Sequence, residues 1–264
     1  MKKFKFTKMA ASGNDFVVVE KNCSLPAKQI CDRKYGAGAD GLLVLEKSEK
    51  ADVRMRIFNA DGSEAEMCGN GARCAALYAV RYMLHAKNEV TFETKAGIIK
   101  SEVDKNTVRI KLTGAKNLKL DIPIRVNNRP LRVNFINTGV PHTVIFVEGL
   151  DKINVVDLGN QIRFHQKFAP AGTNVDFVEV MNRNSIKVRT YERGVEDETL
   201  ACGTGSVASA LVYAIRYPLN AKLVNVITAG GEALKVSFDK TGNEFKNIWL
   251  EGKVKIVYRG EYYV

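Results

Sequence analysis

The sequence predicts an α+β fold of two similar, pseudo-symmetric lobes, each a sheet wrapped around one central helix. Three observations predict it. A C-G-x-G motif occurs twice, as Cys68-Gly69-Asn70-Gly71 and Cys202-Gly203-Thr204-Gly205. Each copy opens a run rich in small apolar residues with almost no polar face, the pattern of a helix buried on all sides. The segments around each copy recur in the same order, so the chain reads as an internal duplication.

The elements follow in sequence. Ser12-Gly-Asn-Asp-Phe16 and Thr138-Gly-Val-Pro-His142 are small-residue loops ahead of apolar β-type runs at 17–19 and 144–147. Next come residues 55–62 and 188–195, each a short strand running into a polar turn. The two motifs then open helices expected over 71–85 and 205–216, the second stopped by Pro218. Thr94-Lys-Ala-Gly97 lies 26 residues past Cys68, and Thr228-Ala-Gly-Gly231 lies 26 residues past Cys202. Each threonine precedes a strand and turn: 98–103 with Asp104-Lys-Asn106, and 233–238 with Asp239-Lys-Thr-Gly242. Strict alternation marks further strands at 107–112 and 185–190. A linker is expected within 114–130, where the chain turns polar and carries Asn127-Asn-Arg-Pro130. This gives an N-terminal lobe over 1–117 and a C-terminal lobe over 118–252. A last strand at 254–258 lies beyond the second repeat, so 253–264 is expected to return to the first lobe.

Composition narrows the function classes. The 264 residues are 45% hydrophobic and 26% charged, as in ordinary globular proteins. No apolar run is long enough to span a bilayer, and the N-terminus lacks the apolar core of a signal peptide. A cytoplasmic protein with no membrane partner is expected. Its five cysteines are then reduced thiols, and their odd count and spacing fit neither a disulfide framework nor a zinc site. No metal is expected. The net charge of +11 comes from lysines and arginines scattered along the chain. Without a dense basic block or aromatic interleaving, this describes a basic surface suited to a polyanionic small substrate rather than a nucleic-acid interface.

The two motif cysteines carry the chemistry. Backbone N–H groups at a helix start lack intrahelical partners, and the dipole there is positive. Such a position favours a thiolate. The N–H groups of Gly69, Asn70, Gly203 and Thr204 are candidate carboxylate binders. One C-G-x-G alone could equally cradle a phosphate or merely start a helix. Packing gives no reason to keep cysteine and glycines in both diverged halves. Cys23, Cys31 and Cys74 read as small buried hydrophobes. His85 and His165 fall in helical segments, whereas His142 follows Pro141 in a loop and is open to a structural or a functional role. Glu192-Arg193, in the polar turn before the second cysteine, is either a solvated ion pair or a carboxylate beside a guanidinium that holds an anionic group.

Several segments together resemble the diaminopimelate epimerases. They are Gly13-Asn-Asp-Phe16, Phe58-Asn-Ala-Asp-Gly62, Met67-Cys-Gly-Asn-Gly-Ala-Arg-Cys74, Gly139-Val-Pro-His142, Tyr191-Glu-Arg-Gly194 and Ala201-Cys-Gly-Thr-Gly205. The resemblance covers nearly the whole chain; C-G-x-G alone would also admit the proline racemases. It implies two lobes of mostly antiparallel sheet or barrel around a central helix, with the site in the cleft and a homodimer in solution. It implies an epimerase of lysine biosynthesis that needs no cofactor and interconverts LL- and meso-diaminopimelate at one α-carbon. Carried over position by position, Cys68 and Cys202 match the catalytic thiolate and thiol. His142 and Glu192 match residues that tune the thiols and bind at the reacting centre. Asn14, Asn59 and Asn174 match substrate-binding asparagines, and Arg193 matches the contact to the distal carboxylate. Gly69-Asn70 and Gly203-Thr204 match the cradle of the reacting carboxylate. The chain departs from some members at Gly41, where they carry Gln, and at Val140, where they carry Asn. Its turn at 194–199 is also one residue longer than in some.

Overall fold

A computed structural model describes residues 3–20, 26–84, 87–217 and 222–263. Cys23, His85 and Pro218, to which the sequence assigns packing or helical roles, lie outside the described residues. The chain divides into two compact units, residues 1–111 with 251–264, and residues 112–250.

The first unit holds strands β1 (Lys3–Ala11), β2 (Asn14–Glu20), β3 (Gly41–Glu46), β4 (Val53–Asn59), β5 (Glu64–Ala65), β6 (Glu89–Thr94), β7 (Gly97–Asp104) and β8 (Thr107–Lys111). Its helices are α1 (Ala27–Ile30) and α2 (Gly69–Tyr78). The second unit holds β9 (Lys116–Val126), β10 (Arg129–Asn137), β11 (Pro141–Phe146), β12 (Asn174–Asn182), β13 (Ser185–Glu192), β14 (Asp197–Thr199), β15 (Leu223–Ile227) and β16 (Ala233–Thr241). Its helices are α3 (Val155–Arg163) and α4 (Gly203–Arg216), and β17 (Glu244–Lys253) follows β16. The last strand, β18 (Lys255–Tyr263), pairs antiparallel with β1.

The two units share one topology. In the first, β1–β2 is antiparallel, β2–β3 parallel and β3–β4 antiparallel. Strand β4 then takes β5 antiparallel and β6 parallel, and β6–β7 closes a hairpin. In the second, β10–β11, β11–β12, β12–β13, β13–β14, β13–β15 and β15–β16 repeat that series in the same senses. Registers coincide as well. Phe16 lies opposite Gly41, and Leu43 opposite Ile57. The corresponding pairs are His142 opposite Asn174, and Asp176 opposite Thr190.

Strand alternation explains how each sheet serves two helices. Val17, Val19, Leu42 and Val44 pack with Ala27, Ile30 and Cys31 on the α1 side. Phe16 and Leu43 point the other way, against the first turn of α2. A strand covered on both faces must be apolar throughout, which is why residues 16–19 and 42–45 show no alternation. In the second unit Ile145, Phe177 and Tyr191 pack on the α3 side with Val155 and Ile162. Helix α2 packs against β1, β2, β3, β4, β7 and β8, and α4 against β10, β11, β12, β13, β15 and β16. Every residue of α2 from Asn70 to Tyr78 is buried.

Three local expectations change. The stretch 114–130 is no linker: most of it is β9 and the turn into β10, and the units divide at Lys111/Leu112 rather than at 117/118. Asn127 and Asn128 both take positive φ, 50° and 60°, the conformation of a two-residue hairpin turn, so the polar cluster is a hairpin tip. The helices begin at Gly69 and Gly203, two residues earlier than expected, because the cysteines themselves are the N-cap residues. Strand β16 runs on through Asp239 to Thr241, so the turn falls at 242–243.

Candidate active site

In the first unit the β1–β2 hairpin and the start of α2 form one hydrogen-bonded cluster. Ser12 and Gly13 take φ of 50° and 82°, a tight turn that brings Asn14 back beside Ala11. Cys68 caps α2, and its sulfur accepts a hydrogen bond from the Gly71 N–H at 3.5 Å. Asn70 donates through Nδ2 to Asn14 Oδ1 at 2.7 Å, and Asn14 donates through Nδ2 to Asp40 Oδ2 at 3.1 Å. Arg73, fully buried one turn into the helix, donates from Nη2 to Asn70 Oδ1 at 2.7 Å and Ser12 Oγ at 2.6 Å. The guanidinium thus fixes both the loop and the helix start. Around it Lys8, itself buried, pairs with Asp15 at 2.7 Å, and Arg33 bridges Asp15 and Asp40. Although burial opposes it, hydrogen bonds from Arg33 and Lys8 hold the Asp15 carboxyl well below the usual carboxylate range.

Asn59 stands apart from this cluster. It ends β4, is exposed, and donates through its amide to Ser63 Oγ at 2.9 Å within its own turn. Its cross-strand partner is Gly41, where a Cβ would sit 2.9 Å from the Phe58 carbonyl oxygen. That close backbone approach accounts for glycine at the first departure from the family pattern.

In the second unit Cys202 caps α4 and is buried. His142 sits in strand β11, not in a loop, and its ring is fully buried. Strand pairing positions it: Nδ1 lies 2.8 Å from Asp176 Oδ2, and Nε2 lies 2.9 Å from Thr204 Oγ1. Thr190 donates to the other Asp176 oxygen at 2.8 Å, and Thr204 Oγ1 lies 3.5 Å from Cys202 Sγ. Thr138 donates to the Thr204 carbonyl at 3.0 Å, fixing the first turn of α4. Gly205 makes room for the carboxylate, since a Cβ there would meet Asp176 Oδ1 at 2.4 Å.

Glu192 is the last residue of β13 rather than a turn residue. Burial pushes its carboxyl above the ordinary value, with the nearby Asp176 carboxylate acting in the same sense. It forms no ion pair with Arg193. Arg193 donates instead through Nη1 to the Ala171 carbonyl at 3.2 Å and lines a cavity of about 520 Å³ with Lys119, Lys167, Phe135 and Phe168. Asn174, also buried, joins the two segments: its Nδ2 donates to the Pro141 carbonyl at 2.9 Å, and its Oδ1 accepts from the Arg193 N–H at 2.8 Å. His165 caps a short 3-10 turn outside the site.

One electrostatic expectation reverses. A helix start favours a thiolate, but burial pushes the Cys202 thiol well above its ordinary value, helped by Glu192 and Asp176. The magnitudes decide it: a helix terminus contributes up to about 2 kcal/mol, whereas full burial of a charged group can shift a pKa by about 3–5 units. Cys31 behaves as the packing residue expected, pushed up to about 11 by burial, and Cys74 is also buried. Among the described residues no cluster of three or more His, Cys, Asp or Glu could hold a metal ion, and no helix is long and apolar enough to cross a membrane.

The sequence did not single out Arg73, Asp176 or Thr190. Arg73 had a visible signal, a lone guanidinium inside an otherwise apolar helix. Asp176 and Thr190 were hidden by strand pairing, which no local pattern reports.

Among solved structures the chain is similar to a PhzF-family phenazine biosynthesis protein of Bacillus anthracis, with a TM-score of 0.76, 20% identity and 100% of both chains covered. It is also similar to a hydroxyproline epimerase from Agrobacterium vitis, with a TM-score of 0.73, 15% identity, and 98% and 92% of the two chains covered. At these identities the likeness is one of fold. In that fold a cysteine caps the buried helix of each unit. The family model for diaminopimelate epimerase matches residues 6–118 and 134–257. A diaminopimelate epimerase of Aquifex aeolicus (strain VF5) is 42% identical over 278 residues, covering 97% of this chain and 96% of its own. The chain belongs to the diaminopimelate epimerase family.

Proposed function

We propose that the protein interconverts LL- and meso-diaminopimelate in lysine biosynthesis by proton transfer between its own two thiols and the α-carbon, without a carbonyl cofactor. The observation that carries this reading is the equivalent placement of Cys68 and Cys202, each capping the one buried helix of its unit. One acts as thiolate base, and the other delivers a proton to the opposite face of the carbon. The α-proton of an amino acid is very weakly acidic, so developing charge on the carboxylate needs stabilisation in the transition state. The unsatisfied N–H groups of Gly69 and Asn70, and of Gly203 and Thr204, supply it as preorganised donors. His142 and Glu192 act at the reacting centre, and Asn14, Asn59, Asn174 and Arg193 bind substrate. Arg193 and the neighbouring lysines suit the distal carboxylate. The enzyme works in the cytoplasm as a homodimer, with diaminopimelate rather than nucleic acid as its partner.

The test is incubation with LL-diaminopimelate in heavy water. Deuterium enters the α-position as meso product appears, and Cys68→Ala and Cys202→Ala each abolish epimerisation. Near-normal turnover in either variant would rule out the two-thiol mechanism.

A further inference from the structure

On the α1 face of the first unit, the place beside the β1–β2 hairpin is filled by the chain itself. Lys8 of β1 pairs with Asp15 at 2.7 Å and donates to the Gly38 carbonyl. Arg33 reaches Asp15 at 2.9 Å and Asp40 at 2.6 Å. Tyr258 of β18, opposite Lys8, donates from its hydroxyl to the Ala37 carbonyl at 3.0 Å. Two cations are thus answered by two carboxylates, and the tyrosine closes the place against the loop that follows α1. Strand register gives the corresponding positions on the α3 face of the second unit. Phe135 stands for Lys8, Lys119 for Tyr258, Pro141 for Asp15 and Thr173 for Asp40. Both carboxylates and the tyrosine are gone, and the place is the open cavity of about 520 Å³. Three cations line it, Lys119, Lys167 and Arg193, and no acidic side chain does. Neither lysine ammonium has a hydrogen-bond or ion-pair partner among the described residues.

We propose that this cavity binds a small polycarboxylate, an organic anion with at least two carboxylates, whose charges take the part that Asp15 and Asp40 play in the first unit. Its volume is that of a small-molecule site. Like charges gathered without a counter-charge repel one another, and a bound polyanion relieves that repulsion. Arg193 offers a planar fork to one carboxylate, and the two lysines offer point charges to another. Asn137 adds a neutral donor: its Oδ1 is taken by the Gly139 N–H at 2.9 Å, which leaves Nδ2 for a ligand. Phe135 and Phe168, stacked with centroids 5.9 Å apart and planes 12° from parallel, form an apolar wall for the carbon body. A bare inorganic anion leaves that wall uncovered. The distal end of diaminopimelate brings one carboxylate together with one ammonium, which leaves the positive charge of the lysines in excess. Because Arg193 is the residue assigned to that distal carboxylate, an occupied cavity competes with substrate; this consequence rests on the epimerase reading, whereas the site itself does not.

Citrate is the probe, titrated into the full chain by calorimetry at low salt and without substrate. Wild type binds it with a Kd below about 1 mM. Lys119→Gln with Lys167→Gln raises that Kd by at least about tenfold, the change expected for losing charge-assisted hydrogen bonds. Lys119→Arg, which keeps the charge, preserves binding. Lys28→Gln with Lys246→Gln removes the same charge from exposed positions outside the cavity and moves the Kd by less than about twofold. Inorganic phosphate binds more weakly than citrate. Equal weakening by the two pairs of substitutions would reduce the effect to net charge and overturn the site. Unchanged binding in the Lys119/Lys167 pair, or no heat with millimolar citrate, would overturn it as well. Phosphate binding as tightly as citrate would overturn the polycarboxylate assignment. All four lysines are exposed, so their substitution leaves the fold intact. In turnover of LL-diaminopimelate, citrate raises the apparent KM at constant kcat, and the Lys119/Lys167 pair removes that rise; a KM that bound citrate leaves unchanged would overturn the competition. Wild type that binds citrate but makes no meso product would remove the substrate assignment and leave the site standing.

Discussion

Replacing Arg73 by methionine tests whether the first-unit cluster rests on one buried guanidinium. The methionine keeps most of the apolar stem and the volume. It removes the donor that holds Asn70 Oδ1 at 2.7 Å and Ser12 Oγ at 2.6 Å. Each hydrogen bond from a charged group contributes about 1.5–3 kcal/mol, and the acceptors left behind are buried. The expected cost is about 3–5 kcal/mol, a large part of the roughly 5–15 kcal/mol that holds a native protein together. At an m-value of about 2–3 kcal/mol/M in urea, the transition that includes the first unit moves down by about 1–2.5 M. Arg73→Lys keeps the charge but not the fork, so it falls between methionine and wild type. Function suffers separately, since Asn70 holds Asn14 at 2.7 Å, and a misplacement of about 1 Å in a site can cost about a hundredfold in rate. The assay is urea unfolding by circular dichroism with kcat measured on the folded fraction. A variant with the wild-type midpoint and wild-type kcat would refute the role assigned to Arg73.

Gly205→Ala should cost about 1–3 kcal/mol and most of the activity, because its methyl group would sit 2.4 Å from Asp176 Oδ1. Gly71→Ala should be milder, since its nearest neighbour is the mobile end of Leu43 at 3.1 Å; equal effects in thermal unfolding would contradict this. Glu192 has a carboxyl raised by burial, so the native state holds its proton more tightly than the unfolded chain. Its contribution to stability is therefore fully present below the ordinary carboxylate pKa and is lost as pH rises through the raised folded value. Glu192→Gln, which cannot ionise, should gain stability over wild type as pH rises through that window while losing turnover; a pH-independent difference in unfolding midpoint would show that Glu192 is not desolvated.

The sequence by itself determined the duplication and the two cysteines that cap its buried helices. Both are local: motif spacing, small-residue helices and glycine turns are each read within about thirty residues. It fixed Cys68 and Cys202 at helix starts, and the recurrence of flanking segments implied one topology built twice. It missed the hairpin at Asn127-Asn128 because a polar tip between strands looks like a linker when pairing is unseen. It misplaced His142 in a loop because Pro141 hides the strand that begins there. Only the tertiary structure decided the state of Cys202. A helix start alone argues for a thiolate, whereas burial, helped by Glu192 and Asp176, pushes the Cys202 thiol well above its ordinary value. Desolvation depends on everything packed around the sulfur. Asp176 reaches His142 across 34 residues, and Thr204 reaches it across 62, through sheet register and helix packing. No stretch of sequence contains those contacts, so the contrast between a polar layer under one thiol and an apolar layer under the other emerges only when the two units are folded and compared.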